Sequence, residues 1–103
     1  MTEPQFRLDG DGDHRPVVNA SGEIDLANVD QFQDVMTKAA SSADTITVDL
    51  SHVSYCDSAA VRALFSVAAS TKLHLIIRSS GPIKTLLSVS GLDRVATVTT
   101  ADE

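Results

Sequence analysis

The sequence predicts an α/β fold: a mixed β-sheet of four to five strands, with an antiparallel N-terminal hairpin, later strands parallel, and helices on one face. Three observations predict it. Two short extended runs flank a Gly/Asp cluster near the N-terminus, which marks a hairpin. Beyond it, segments with apolar residues spaced by three and four alternate with segments in which they recur every second position. Finally, Thr45-Ile46-Thr47-Val48-Asp49-Leu50 alternates strictly, whereas a strand covered on both faces tends to a continuous apolar run.

The elements follow in order. Gln5-Phe6-Arg7-Leu8 and the run from Pro16 to residue 22 are the two hairpin arms, and Pro16 is tolerable at a strand beginning. Residues 26–41 place Val29, Phe32, Val35, Met36, Ala39 and Ala40 on one helical stripe, with Asp30, Gln33, Asp34 and Lys38 on the wet side. Asp25 is the expected N-cap of that helix. In the next strand, Ile46, Val48 and Leu50 point inward and Thr45, Thr47 and Asp49 outward. Asp57-Ser58 supplies capping side chains for a second helix with its stripe at Val61, Leu64, Phe65 and Ala68. Leu73, Leu75 and Ile77 alternate with His74, Ile76 and Arg78 in another half-exposed strand. A short third helix starts at Pro82, carries Ile83, Leu86 and Leu87, and stops at Gly91, with Leu92 placed for the accompanying apolar contact. Val95–Thr99 is a weak last strand, and residues 101–103 are expected to fray. Helix-length crossovers between the later strands imply parallel pairing.

With 103 residues the chain is expected to be one domain, and 43% hydrophobic against 21% charged residues is a globular balance. Only four aromatic residues (Phe6, Phe32, Tyr55, Phe65) are present, so aliphatic side chains must fill the core. A net charge of −6 disfavours a nucleic-acid partner, which normally needs a basic footprint. The charge is uneven: residues 1–57 hold eleven acids and three bases, and residues 58–103 hold three acids and five bases. Bulk attraction to an anionic membrane is therefore weak. No basic, apolar leader and no stretch near the ~18 apolar residues of a bilayer span is visible, so a cytoplasmic location without membrane attachment is expected. A lone cysteine, Cys56, excludes an internal disulfide.

Most motifs that suggest chemistry have a plainer reading. Asp9-Gly10-Asp11-Gly12-Asp13 opens like a calcium loop, but the sixth position holds His14 rather than Gly and the twelfth holds Ala20 rather than Glu, so it reads as a solvated turn. His14, His52 and His74 show no zinc spacing, and no metal or cofactor is expected. Cys56 near a helix start could be an activated thiolate, yet most free cysteines are small buried groups. Ser58 as a hydrolytic nucleophile would need a positioned base and an oxyanion hole, for which no motif speaks. Asp57 lacks the flanking acid pair of a phosphoryl-accepting Mg²⁺ site. Taken alone, Asp57-Ser58 reads as helix capping.

The surrounding residues add to this. Val48-Asp49-Leu50-Ser51-His52-Val53-Ser54-Tyr55-Cys56-Asp57-Ser58 resembles the signature of the STAS domain, the anti-sigma factor antagonist family. That signature is an apolar strand ending in D-L-S-x-V, a short turn, then D-S at a helix start. Gly22-Glu23-Ile24-Asp25 resembles the family's G-E-[LI]-D step, and Leu86-Leu87-Ser88-Val89-Ser90-Gly91-Leu92 its late helix ending in x-x-x-G-L. Together the matches span most of residues 16–98, in the expected order, so the resemblance implies a single STAS domain over 1–103.

The resemblance implies a binding protein rather than an enzyme. Its partner would be an anti-sigma factor, commonly an ATPase-type serine kinase, whose capture frees a sigma factor for transcription. In regulated members the kinase phosphorylates the serine of D-S, here Ser58, and a serine phosphatase restores binding. Asp57, Ser58, Arg62, Glu23 and Asp25 are the expected partner-binding residues. The sequence departs from D-S-S-G-L and D-S-x-G-L by reading Asp57-Ser58-Ala59-Ala60-Val61. Ala59 leaves Ser58 as the motif's only acceptor, and Ala60 adds a methyl group where a partner backbone would approach. The alternative within the family is an accessory subunit of another assembly, such as a lipid-transport ATPase complex or a stress-signalling scaffold, with no phosphorylation cycle. A redox-sensing variant would use Cys56, and an unrelated class would be a small hydrolase using Ser58 or Cys56.

Overall fold

A computed structural model describes residues 5–9, 16–41 and 43–101. The Gly/Asp turn, His14 and the last two residues, about which the sequence raised expectations, lie outside the described residues. The strands are β1 (Gln5–Asp9), β2 (Val17–Ile24), β3 (Thr45–Cys56), β4 (Lys72–Ile77) and β5 (Thr97–Thr100). The helices are α1 (Val29–Ala40), α2 (Ser58–Ala68) and α3 (Pro82–Ser90), followed by a 3-10 turn at Leu92–Arg94.

The five strands form one sheet in the order β1-β2-β3-β4-β5, with β1 and β2 antiparallel and every later pair parallel. Each parallel step is bridged by a helix. Because such crossovers share one hand, a sheet that always grows in the same direction puts all its helices on the same side. The burial pattern agrees. Val18, Ala20 and Ile24 of β2, Ile46, Val48 and Leu50 of β3, and Leu73, Leu75 and Ile77 of β4 form one core with Phe32, Met36, Leu64, Leu87 and Leu92. On the other face Asn19, Thr45, Asp49, His74, Ile76 and Thr99 remain at least partly exposed. Thr47 departs from expectation: its register neighbours Val17 and His74 cover it, and only 8% remains accessible.

Several boundaries differ from those read in the sequence. Helix α1 begins at Val29, because residues 26–28 form a turn on Asp25, whose Oδ1 accepts a hydrogen bond from the Ala27 amide at 3.0 Å. Asp25 therefore caps the turn, not the helix. The last strand runs Thr97–Thr100, starting two residues later and ending one residue later than its sequence pattern suggests, after the 3-10 turn seats Leu92 in the core.

The largest difference is in β3. The short turn expected after residue 53 is absent, and the strand continues to Cys56 alongside β2. Two register shifts make this possible: Asn19 and Ser21 face Asp49 and His52, and Gly22 and Glu23 face Val53 and Tyr55, so β3 carries an extra residue at each step. The inner face then takes Leu50, Ser51, Val53 and Cys56, a spacing no simple alternation describes. Buried Ser51 is satisfied by Asp49, whose Oδ1 accepts both the Ser51 amide at 2.9 Å and its hydroxyl at 2.6 Å. Past Asp49 the strand no longer pairs with β4, and Arg78 Nε instead donates to the Ser51 carbonyl at 2.8 Å.

Gly22 sits at the second shift with φ of 83°, a left-handed conformation, and its carbonyl accepts the Ser54 hydroxyl at 3.2 Å. A Cβ in that region costs about 1–2 kcal/mol. Gly22→Ala is therefore expected to lower Tm by roughly 5–15 °C, measured by circular dichroism. A loss below about 2 °C would show that the bulge relaxes freely around the methyl group.

Candidate functional site

The C-terminal ends of β2 and β3 converge on one corner of the sheet. Glu23 faces Tyr55 and Ile24 faces Cys56 in register, and the Asp57 amide closes the junction on the Ile24 carbonyl at 3.2 Å. Both chains then turn into helices. After β2, Asn28 stitches the turn from both sides: its Oδ1 accepts the Asp25 amide at 3.1 Å, and its Nδ2 donates to the Glu23 carbonyl at 2.8 Å. After β3, Asp57 adopts extended backbone and its Oδ1 accepts the Ala59 amide at 2.9 Å, capping α2. Such a cap is worth about 1 kcal/mol.

This corner gathers Glu23, Asp25, Asp57 and Ser58, with Arg62 one helical turn further along α2. Glu23, Ser58 and Arg62 are exposed, while Asp25 and Asp57 are half-buried by their capping roles. Only one of the pair Asp57-Ser58 caps. Ser58 is the first helical residue, and its hydroxyl makes no hydrogen bond among the described residues. It stands in solvent above the amide end of α2, where the helix dipole favours added negative charge. Arg62 makes no ion pair among the described residues, so its guanidinium is available one turn away.

Ala60 is fully buried, so its methyl group lies in the core between α2 and the sheet. The expectation that it would stand where a partner's backbone approaches is corrected: the third residue of an amphipathic helix whose first residue faces out points inward.

Cys56 is buried as well, at 6% exposure, and burial, helped by the neighbouring Asp57 charge, pushes its thiol up to about 11. A thiol raised from 9.0 to about 11 holds about a hundredfold less thiolate near neutrality, which argues against the redox and nucleophilic readings. Iodoacetamide at pH 8 is expected to label the native protein at least about a hundredfold more slowly than the urea-unfolded chain. The sign of the linkage follows: folding favours the protonated thiol, so stability is intact below pH 9.0 and declines as pH rises through about 11. Native labelling as fast as in urea would refute the buried thiol.

Two members of this corner carried no signal in the sequence. Leu26 is 76% exposed and Tyr55 is 50% exposed. Leu26, three residues before Val29, would join the apolar stripe if the helix began at 26, but the turn on Asp25 rotates it outward. Tyr55 would share a face with buried Val53 in a regular strand, and the extra residue at Ser54 reverses it. Among the described residues no group of His, Cys, Asp or Glu side chains is arranged to hold a metal ion. No helix among them is long and apolar enough to cross a membrane.

Residues 8–99 match the family model described as "Mlab, STAS domain". The chain belongs to the STAS domain family. No curated protein sequence gives a significant match. Among solved structures, an anti-sigma factor antagonist from Mycobacterium paratuberculosis superposes with a TM-score of 0.82 at 21% identity, covering 93% of this chain and 85% of its own. The phosphorylated form of the Bacillus cell fate determinant SpoIIAA gives 0.67 at 22% identity, covering 96% of this chain and 93% of its own. The unphosphorylated anti-sigma factor antagonist SpoIIAA gives 0.60 at 20% identity, covering 88% and 97%. At these identities the likeness is one of fold: this STAS chain shares their mixed sheet and its three helices.

Proposed function

We propose that this STAS chain is an anti-sigma factor antagonist, acting in the cytoplasm as one unit over residues 1–103 and without catalytic activity of its own. It binds an anti-sigma factor of the ATPase-type serine kinase class and so frees a sigma factor for transcription. Phosphorylation of Ser58 switches it off, and a serine phosphatase restores it. The observation that carries this reading is the Ser58 hydroxyl, exposed and without a hydrogen bond among the described residues at the first residue of α2 while Asp57 does the capping. The shared fold of solved anti-sigma factor antagonists supports it.

The physics of the switch is local. The kinase brings the γ-phosphorus of ATP against Ser58 Oγ. The new P–O bond forms as the bond to the β-phosphate oxygen breaks, ADP leaves with that electron pair, and the hydroxyl proton passes to solvent. The product carries about −1.5 to −2 charges where a neutral hydroxyl stood. The amide end of α2 and Arg62 tolerate that charge within this chain. At an interface built for a neutral hydroxyl, a dianion must lose water to stay docked. A penalty of about 2.8 kcal/mol weakens binding about a hundredfold.

The test is affinity capture on the full chain from its host, followed by mass spectrometry. An ATPase-type anti-sigma factor retained by wild type and by Ser58→Ala but lost by Ser58→Asp is the expected result. The second reading, an accessory subunit of another assembly such as a lipid-transport ATPase complex or a stress-signalling scaffold, is favoured by the Mlab description of the matching family model. Transport-complex subunits retained equally by all three variants would replace the first reading with it.

A further inference from the structure

We propose that Leu26 and Tyr55 are the apolar anchors by which the anti-sigma factor is held, and that they enter an apolar pocket flanked by basic side chains on its surface. This rests on the antagonist reading above and names the partner's side of the same site. Folding ordinarily covers large apolar side chains. In this chain Leu26 keeps 76% of its surface and Tyr55 keeps 50%. Both exposures are built rather than incidental. The Asp25 turn, closed by Ala27 and Asn28, aims Leu26 outward, and the extra residue at Ser54 turns Tyr55 away from buried Val53 and Cys56.

The two residues lie on the paired segments that lead into the start of α2. Leu26 follows the Ile24 carbonyl that accepts the Asp57 amide, and Tyr55 precedes Ser58 by three positions on the strand paired to that same segment. Adjacent strands lie about 4.8 Å apart, so the segments that carry the two residues run side by side into the start of α2. The other exposed large apolar residues among those described, Leu8 on β1, Val89 on α3 and Val95 past the 3-10 turn, belong to different elements. Tyrosine is among the side chains that most often dominate interface energetics.

Charge selects the occupant. Glu23, the register partner of Tyr55, is exposed, and Asp25 and exposed Asp30 lie on either side of Leu26 in the chain. The charged side chains next to the anchors in chain and register are acids, with Arg62 a turn further along α2, so the complementary pocket is apolar with Lys or Arg on the Glu23 and Asp25 side. Those cations are matched by the acids already present, which leaves no spare counter-charge for a phosphate on Ser58.

The test places a benzophenone amino acid in turn at positions 26, 55, 58 and 89 of the full chain in host cells, and then titrates purified ATPase-type anti-sigma factors of that host with variants. Cross-links to an anti-sigma factor are expected from 26, 55 and 58 and not from 89. Leu26→Ala/Tyr55→Ala should weaken its binding about a hundredfold, and Glu23→Lys about tenfold with a loss of salt dependence. Val89→Ala should leave binding unchanged. Cross-links from 58 alone, with the double variant within about threefold of wild type, would overturn the anchors and leave the antagonist reading intact. Cross-links from 26 and 55 to a protein of another class, or none from any position, would overturn both. Circular dichroism melts of all variants guard against misfolding, since truncating exposed side chains changes stability little.

Discussion

Ser58→Asp is expected to weaken binding of the ADP-loaded anti-sigma kinase about a hundredfold, while Ser58→Ala binds within about threefold of wild type. The contrast isolates charge from shape. Alanine removes an exposed hydroxyl with no hydrogen bond among the described residues, so nothing inside the chain is left unsatisfied. Aspartate adds a charge next to Asp57, at an interface that has to exclude water. Within the free chain the same charge is welcome, because it lies at the amide end of α2, where a carboxylate is worth about 0.3–1 kcal/mol. The Tm of Ser58→Asp should therefore equal or slightly exceed that of wild type, which separates loss of docking from loss of folding. Isothermal titration with ADP and a melting curve on each variant make the comparison. Equal affinities for the two variants would remove phosphorylation from the proposed switch.

Phe32→Ala is expected to produce the largest loss of stability, about 3–5 kcal/mol. Phe32 is completely buried on the inner face of α1 and meets the ring of Phe6 with centroids 5.3 Å apart and planes tilted by 36°. In a chain with so few aromatic rings that contact has no substitute. Whole domains of this kind are stable by only about 5–15 kcal/mol, so a large share of the margin disappears. The loss is not spread evenly. β1 is an edge strand of five residues, paired to β2 on one side and held from the helical side by Phe6. Tm should fall by at least about 12 °C, and hydrogen exchange should accelerate first in residues 5–9. The Ile24–Asp57 junction lies beyond the β1 register, which ends at Ser21, so the docking corner keeps its geometry while the protein is folded. A decrease in Tm below about 4 °C would show that neighbouring side chains refill the site.

The differences between sequence and structure share a physical origin. Wherever one element's own periodicity decides the outcome, the sequence reads correctly: the stripe of α1, the alternation of β4, and the start of α3 at Pro82 with its stop at Gly91, which adopts φ of 82°, whereas α2 buries Ala60, Val61, Ala63, Leu64 and Val67 and leaves Phe65 and Ala68 of its expected stripe half-buried. The reading falters where two segments must agree. The run Leu50 to Cys56 has apolar positions that fit neither a strand nor a helix, and only pairing with β2 through two extra residues makes it a strand. Asp25 and Asp57 are both acids before apolar helices. Asp57 caps its helix directly, whereas Asp25 is drawn into a turn by Asn28.

The same division holds for the candidate site. That Asp57-Ser58 opens a helix was legible in residue types and spacing, because capping chemistry is local, whereas the Gly22–Asp25 step was tied to it only by the resemblance to the STAS family. Which of the two side chains caps, which way Ala60 points, and that Leu26 and Tyr55 stand outside were decided by the tertiary structure. Those outcomes depend on the register between β2 and β3, and register is an agreement between residues some thirty positions apart in the chain. Local preference determined the elements and the chemistry they carry. Long-range pairing decided which of those side chains meet solvent together.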